Sequence, residues 1–299
     1  MIYINRQLKG SIYLVICSLV WGMAFAAQDN AMDYVEPFTF VFMRSTITFL
    51  VLLALTPLIN RISGEGSAEQ APPFRTHILI GGLLGCFLVL ATILQQIGLV
   101  YTTPAKSGFV TALYIVIVPL LGLFLGRRVG IAVWFGVALS LVGMCLLCVQ
   151  TDLSINLGDV FTLGSAFVFS LHILLIDRFA SRLNTFRLST IQFATCAVVA
   201  GIITFIVEDP DPRSIMACIG SIIYVAVFSG AIGYTLQMLG QKYTDPTLAS
   251  LIMCLESVFA AFGGWIILGQ TLSARELTGC ALMLAASIVA QLPEKKKTA

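Results

Sequence analysis

Long apolar segments follow one another along almost the whole chain and are separated by short polar connections. A helix that crosses a bilayer needs about 20 predominantly apolar residues. By that measure the sequence predicts ten transmembrane helices, at 10–28, 36–59, 77–99, 104–125, 129–150, 157–177, 188–207, 216–240, 246–268 and 275–292. Neighbouring spans are often only a few residues apart, so we expect tight antiparallel hairpins. The longest polar connection, 60–75, leaves no room for a soluble domain.

The composition indicates an integral membrane protein. Of the 299 residues, 58% are hydrophobic and 11% are charged, whereas a soluble domain carries about 25% charged residues. So few charges could not cover the surface of a soluble protein, and most of this surface must therefore face lipid. The predicted fold class is an all-α membrane bundle. The net charge of +2 gives no indication of a nucleic-acid partner.

Basic residues orient the bundle, because cytoplasmic loops carry an excess of lysine and arginine. With the N-terminus in the cytoplasm, the outer connections hold only Arg213 and Arg275, and Arg44 and Lys106 lie within predicted spans. The inner segments hold Arg6, Lys9, Arg61, Arg75, Arg127, Arg128, Arg178, Arg182, Arg187, Lys242, Lys295, Lys296 and Lys297. We therefore expect both termini in the cytoplasm and a location in a bacterial cytoplasmic (inner) membrane.

A polar motif at the end of the third predicted span recurs at the end of the eighth. LQQIGLVYTTP at 94–104 matches LQMLGQKYTDP at 236–246 in six of eleven positions, at an offset of 142 residues. An odd number of spans separates the copies, so the second copy has the opposite orientation. The sequence thus predicts two inverted five-helix repeats, 1–150 and 151–299, in a single membrane domain. Inverted repeats are typical of secondary transporters, in which the substrate site lies near the bilayer midplane.

Two further segments carry a resemblance to a known family. LESVFAAFGGWIILGQTLS at 255–273 and the Trp21-Gly22 pair within LKGSIYLVICSLVWGMAFA resemble the EamA family of the drug/metabolite transporter superfamily. The likeness spans nearly the whole chain and implies a ten-helix solute transporter. Ser257 and Gln270 depart from the proline and the acidic residue that this family typically has there. Substrates across the family include amino acids, nucleosides, vitamins and drugs.

Several polar side chains fall inside predicted spans, although a charged group at the bilayer centre costs at least about 2.5–3.5 kcal/mol. Glu256, midway along span nine, is a candidate to contact the substrate or carry a proton, with a structural carboxyl group as the alternative. Tyr114 is its equivalent under the 142-residue offset, so the two side chains should approach each other. Arg44 lies deep enough in span two to pair with a substrate carboxylate or an acidic side chain. Trp21 and His172 complete the predicted substrate-binding set.

Other residues are candidates for gating. Gln95, Gln96 and Gln237 lie toward opposite membrane faces, where interhelical hydrogen bonds would close a gate or simply join helices. Lys106, one turn inside the outer mouth of span four, is expected to extend its ammonium group toward the headgroups. Pro119 in span four, with Gly263-Gly264 in span nine, marks the predicted kink points.

The sequence therefore predicts a secondary active or facilitative transporter that moves small organic metabolites by alternating access. The family resemblance favours export of amino-acid-like solutes. A proton-coupled multidrug exporter and an importer of a vitamin or nucleoside are the alternatives. The expected partners are a small organic solute, the lipid bilayer and, through Glu256, protons, with no nucleic acid. A monomer or a weak homodimer is expected.

The alternative from a different functional class is a membrane-embedded enzyme, or a sensor that transports nothing. An enzyme would need clustered histidine, aspartate or serine and lysine side chains at the membrane interface, and a sensor would need a soluble output domain. The sequence has neither, and it has no GxxxxGK[ST] motif to bind ATP. We therefore expect no catalytic residues, no metal site, no cofactor and no enzymatic activity.

Overall fold

The computed structural model describes residues 2–63, 72–102, 104–148, 156–268 and 271–291. Within these ranges all regular secondary structure is helical. Nine helices of the described chain are long and apolar enough to cross a membrane. The predicted all-α membrane fold is therefore confirmed.

Ten helical elements, which we number α1 to α10, correspond to the ten predicted spans. They are α1 Ile2–Met32, α2 Pro37–Ser63, α3 Phe74–Tyr101, α4 Pro104–Thr111 with Tyr114–Phe124, α5 Ile131–Cys148, α6 Leu157–Ala180, α7 Thr185–Val207, α8 Ile219–Tyr224 with Val225–Gly233 and Tyr234–Gln241, α9 Pro246–Met253 with Glu256–Leu268, and α10 Ala274–Val289. A one-turn helix, Pro212–Ala217, precedes α8. The described part of α10 has 16 residues and is shorter than the nine spans.

Helices α4 and α9 are each interrupted by two turn residues, 112–113 and 254–255. At both places the backbone tightens, because amide groups bond to carbonyls three residues back: Leu113 to Val110 and Leu255 to Ile252. The two interruptions are related by the same 142-residue offset as the sequence motif. They lie N-terminal to the predicted kink points, which the helical segments cross without a break.

The middle of α8, Val225–Gly233, is wound as a π-helix. Side chains of two other helices donate to its carbonyl oxygens. Thr48 Oγ1 donates to the Ala226 carbonyl at 2.8 Å, and Trp21 Nε1 donates to the Ser229 carbonyl at 3.2 Å. Such π-helical turns occur frequently at functional sites. The two hydrogen bonds join this segment of α8 to α1 and α2.

Two helix crossings depend on glycine, because a side chain would collide with the opposing backbone. In the α3–α6 crossing, a Cβ atom on Gly98 would lie 2.9 Å from the Gly158 carbonyl oxygen. In the α1–α8 crossing, a Cβ atom on Gly10 would lie 2.8 Å from the Gly240 carbonyl oxygen. The motif that defines the repeat equates Gly98 with Gly240. The two-repeat organisation stays a prediction, and this duplicated crossing supports it.

Contacts between helix ends define two faces of the bundle. We call the face at which α1 begins the N face, and the other the opposite face. Arg127 at the end of α4 pairs with Asp177 near the end of α6 at the N face. Ser221 at the start of α8 donates to Asn30 near the end of α1 at the opposite face. These contacts agree with helices that cross in alternating directions.

The α3–α6 crossing generates a test of stability. Gly98→Ala should destabilise the protein, because its methyl group would lie 2.2 Å from Thr162 Oγ1, and such overpacking costs about 1–3 kcal/mol. Gly82→Ala, in the same helix, is the matched control, because its nearest new neighbour would be 3.9 Å away. Thermal unfolding in detergent should give a lower midpoint for Gly98→Ala alone. Equal midpoints for the two variants would contradict the close crossing.

Candidate substrate site

A cavity lies inside the bundle where α1, α2, α3, α4, α6, α8 and α9 meet. Four of the five residues expected to bind substrate line it: Trp21, Arg44, Tyr114 and Glu256. Its volume is about 40 Å³, and a single water needs about 10–15 Å³. The cavity therefore has room for a few waters in this conformation, and an organic solute can enter only if helices separate.

Glu256 and Tyr114 meet in this cavity. Each is the first residue of the second segment of its interrupted helix, and both side chains are buried. The Tyr114 hydroxyl donates to Glu256 Oε1 at 3.3 Å, so the proximity predicted from the 142-residue offset is confirmed. Glu256 makes no ion pair within the described residues. Its carboxyl group is therefore available to a proton or to a cationic group.

Arg44 presents a second buried ionisable group to the same cavity. Its Nη1 atom donates to Gln28 Oε1 at 2.9 Å, and its guanidinium group lies 5.8 Å from the centre of the Phe40 ring. The Tyr234 hydroxyl lies beside it as well. These neighbours are all uncharged, and the described residues supply no carboxylate within ion-pair distance. The guanidinium group thus has no counter-ion among the described residues in this enclosed site.

Tyr234 is the centre of an aromatic cluster on one wall of the cavity. Its ring centre lies 4.8 Å from Trp21, 5.4 Å from Phe193 and 6.4 Å from His172. Trp21 is fixed in turn by its hydrogen bond to the π-helical segment. Offset and edge-on contacts of this kind hold aromatic rings in defined orientations. The cluster therefore gives the cavity a rigid apolar wall.

Two of the predicted site residues lie outside the cavity lining. His172 is fully buried, and its Nε2 atom lies 3.2 Å from Gln192 Oε1. Its ring packs edge-on against the ring of Tyr234. Gln96 is buried and likewise does not line the cavity. A role for either residue in binding or gating stays a prediction.

Gln95 and Gln237 lie deeper than the sequence indicated. Both line the cavity together, whereas we expected them toward opposite membrane faces. Helix α3 continues to Tyr101, and at 1.5 Å per residue this places Gln95 about 9 Å from the helix end. Gln95 Nε2 donates to Thr111 Oγ1 at 3.2 Å. These amides therefore contribute polar groups to the site itself.

Ion pairs join α4 to α6 at both faces of the bundle. Lys106 Nζ lies 2.7 Å from Asp159 Oδ2 at the opposite face, so the expectation that Lys106 extends to the headgroups is wrong. Its nearest anionic group is a protein carboxylate on the neighbouring helix. At the N face Arg127 pairs with Asp177, and its Nη1 atom lies 3.9 Å from Asp245 Oδ2. Both ends of α4 are thus held against α6.

Two residues of this site, Gln28 and Tyr234, gave no clear signal in the sequence. Gln28 falls at the last residue of the first predicted span, where a polar side chain ordinarily marks the membrane boundary. Tyr234 stands in an apolar helix, where tyrosine is ordinary core.

No three histidine, cysteine, aspartate or glutamate side chains of the described ranges are grouped to hold a metal ion. The chemistry offered here is charge pairing, hydrogen bonding and proton exchange.

Known proteins resemble this chain along nearly its full length. One relative from Archaeoglobus fulgidus, named "Uncharacterized transporter", is 27% identical over 295 residues, which cover 96% of this chain and 87% of the relative. A second of the same name and organism is 22% identical over 282 residues, covering 93% and 96%. A solved structure described as "Crystal structure of protein" shares the fold, with a TM-score of 0.75 at 19% identity over 94% of this chain and 96% of its own.

A comparison with family models identifies the family of this chain. Residues 8–149 and 156–291 match the model of the EamA-like transporter family. The matched stretches include the helices that line the cavity and those that carry the ion pairs. The protein is a multi-pass membrane transporter, and the chain belongs to the EamA-like transporter family.

Proposed function

We propose that the protein moves small zwitterionic metabolites, such as amino acids, across the cytoplasmic membrane by alternating access. The observation that carries this proposal is the presence of Arg44 and Glu256 in one cavity. Both are buried, and neither forms an ion pair with another residue that the structure describes. A solute with a carboxylate and an ammonium group would complement both.

The energetics of burial favour a zwitterion over a singly charged or neutral solute. An isolated charge in an enclosed apolar site is costly unless it is paired and hydrogen-bonded. An organic cation would pair with Glu256 and leave Arg44 uncompensated, and an organic anion would do the reverse. This argument ranks amino-acid-like solutes above the cationic substrates of a multidrug exporter.

Glu256 also supplies a route for coupling to protons. When no solute is bound, its only hydrogen-bond donor among the described side chains is the Tyr114 hydroxyl. A proton taken up by the carboxyl group would replace the solute's ammonium group as the source of positive charge. Solute and proton would then compete for one carboxyl group and be exchanged across the membrane. With the inward proton gradient of a cytoplasmic membrane, that exchange drives export.

Alternating access is supported by the way the two faces are closed. The ion pairs at the ends of α4 lie on either side of the cavity, and the cavity is too small for a metabolite. Family matches over 8–149 and 156–291 support two repeats that change conformation in opposite senses. We propose that each face opens in turn, with both chain termini in the cytoplasm.

Arg44→Gln tests the charge complementarity. The change should lower counterflow of a labelled amino acid in proteoliposomes by at least about tenfold, because a hydrogen bond to a charged group is worth about 1.5–3 kcal/mol. Arg128→Gln, at an exposed position outside the cavity, is the matched control and should behave as wild type. Unchanged counterflow in folded Arg44→Gln protein would refute the role of this residue in binding.

Glu256→Gln tests the proton coupling. Wild-type proteoliposomes should accumulate solute in response to an imposed pH gradient. The Glu256→Gln variant should lose that response, because an amide cannot take up and release a proton as a carboxyl group does. Glu36→Gln, at an exposed position, controls for the loss of a glutamate. If the pH gradient drives both variants equally, Glu256 does not couple protons.

Asp177→Asn tests the closure at the N face. The variant removes the charge that holds Arg127 and should open this face more often. In protein that keeps only Cys254, which is fully buried within the interruption of α9, a maleimide should react several-fold faster with Asp177→Asn than with the parent. Asp211→Asn, in the exposed loop before α8, is the control. Identical labelling rates in all three proteins would contradict the closure.

A further inference from the structure

We propose that Gln28 sets the charge selectivity of the cavity by orienting Arg44 without neutralising it. The inference rests on the proposed function, because it concerns the same cavity, and it assigns a specificity-determining role to a residue outside the predicted site. The solute class it implies is a compound with a free carboxylate, as distinct from the corresponding amine.

Gln28 fixes the Arg44 guanidinium group by a hydrogen bond, and the Tyr234 hydroxyl also contacts this group. Its Oε1 atom accepts from Arg44 Nη1 at 2.9 Å. Both side chains are buried and both line the cavity. The Phe40 ring and the Tyr234 hydroxyl are also neighbours of Arg44. An amide oxygen thus orients the guanidinium group while leaving its charge uncompensated.

The sequence around Gln28 makes the neutral side chain informative. Asp29, Asp33 and Glu36 follow within eight positions, and all three are exposed. Carboxylates are therefore abundant at this end of α1 and absent from the α1 position that bonds to Arg44. Glutamate has the same length as glutamine and would form a charge-assisted pair with the guanidinium group. The uncharged residue stands at the place where a carboxylate would cancel the site's positive charge.

Other basic residues of the bundle show the contrasting arrangement. Lys106 pairs with Asp159, and Arg127 pairs with Asp177. These pairs hold helices together, and their charges are satisfied by the protein. Arg44 is held by an amide, so its charge remains for a ligand. Selectivity of this kind depends on the absence of a protein carboxylate beside Arg44 as much as on the presence of the guanidinium group.

Gln28→Glu is the decisive substitution. It should convert a site with one positive and one negative group into a site whose positive group is already paired, leaving Glu256 to select cations. Proteoliposomes would be assayed with leucine and 3-methylbutylamine, and with phenylalanine and 2-phenylethylamine, each pair differing by one carboxylate. The ratio of amino-acid to amine transport should fall by at least about tenfold. An unchanged ratio would overturn the inference.

Two control variants separate this effect from general ones. Gln95→Glu adds the same carboxylate to the same cavity, next to the Thr111 hydroxyl, and should change the ratio much less. Gln28→Leu removes the orienting bond but leaves Arg44 unpaired, so it should weaken amino-acid transport while keeping the preference over the amine. An equal fall in Gln95→Glu, or a loss of preference in Gln28→Leu, would contradict a specific role for Gln28.

A second measurement needs no transported solute. With Met253→Cys, which places a thiol on the cavity wall, the reaction rates of an anionic and a cationic methanethiosulfonate reagent report the local charge. The ratio of the anionic to the cationic reaction rate should be similar in the parent and in Gln28→Leu, and it should fall in Gln28→Glu, as in Arg44→Gln. An unchanged ratio in Gln28→Glu would contradict the inference. If wild type moves none of the amino acids but the reagents behave as expected, the proposed function fails and the role of Gln28 stands.

Discussion

No water is present in the bilayer core to satisfy an open backbone group, so a spanning helix can be interrupted only where protein covers the gap. The structure obeys this constraint at α4, α8 and α9. In α4 and α9 the chain tightens into bonds to the third preceding carbonyl. In α8 it widens, and Thr48 and Trp21 donate to the carbonyls of the widened segment. Ser229 of the widened segment and the residues that flank the two interruptions line the cavity.

The arrangement of charges follows from the same absence of solvent. At the two faces, Lys106 of α4 and Arg127, which follows α4, pair with carboxylates of α6. In the centre, the hydrogen-bonding partners of Arg44 and Glu256 among the described residues are uncharged. An isolated buried charge is costly unless it is paired and hydrogen-bonded. The bundle therefore separates the charges that join helices from the two that the proposed function assigns to the solute.

Much of this could be predicted from the sequence, and the reasons are physical. Hydropathy located the spans because lipid selects for long apolar runs. The 142-residue offset brought Tyr114 and Glu256 together because it preserves position along two equivalent helices. The offset could not supply contacts within one half, so the bond between Gln28 and Arg44 was missed. The widening of α8 has no characteristic residue type, and the depth of Gln95 depends on where α3 ends. Lys106 was misplaced because its partner lies on another helix.

The two sets of charges differ in how water reaches them. Lys106 and Arg127 are about one-third exposed in their ion pairs, at 28% and 34%, whereas Arg44 and Glu256 are buried. Dissolved salt screens exposed charges over about 8–10 Å and acts much less on buried ones. Ionic strength on either side of the membrane thus weakens the fastening of the nearer face of the bundle. The proposed discrimination between solutes by charge takes place at the buried Arg44 and Glu256, out of reach of those ions, so salt should leave it unaltered.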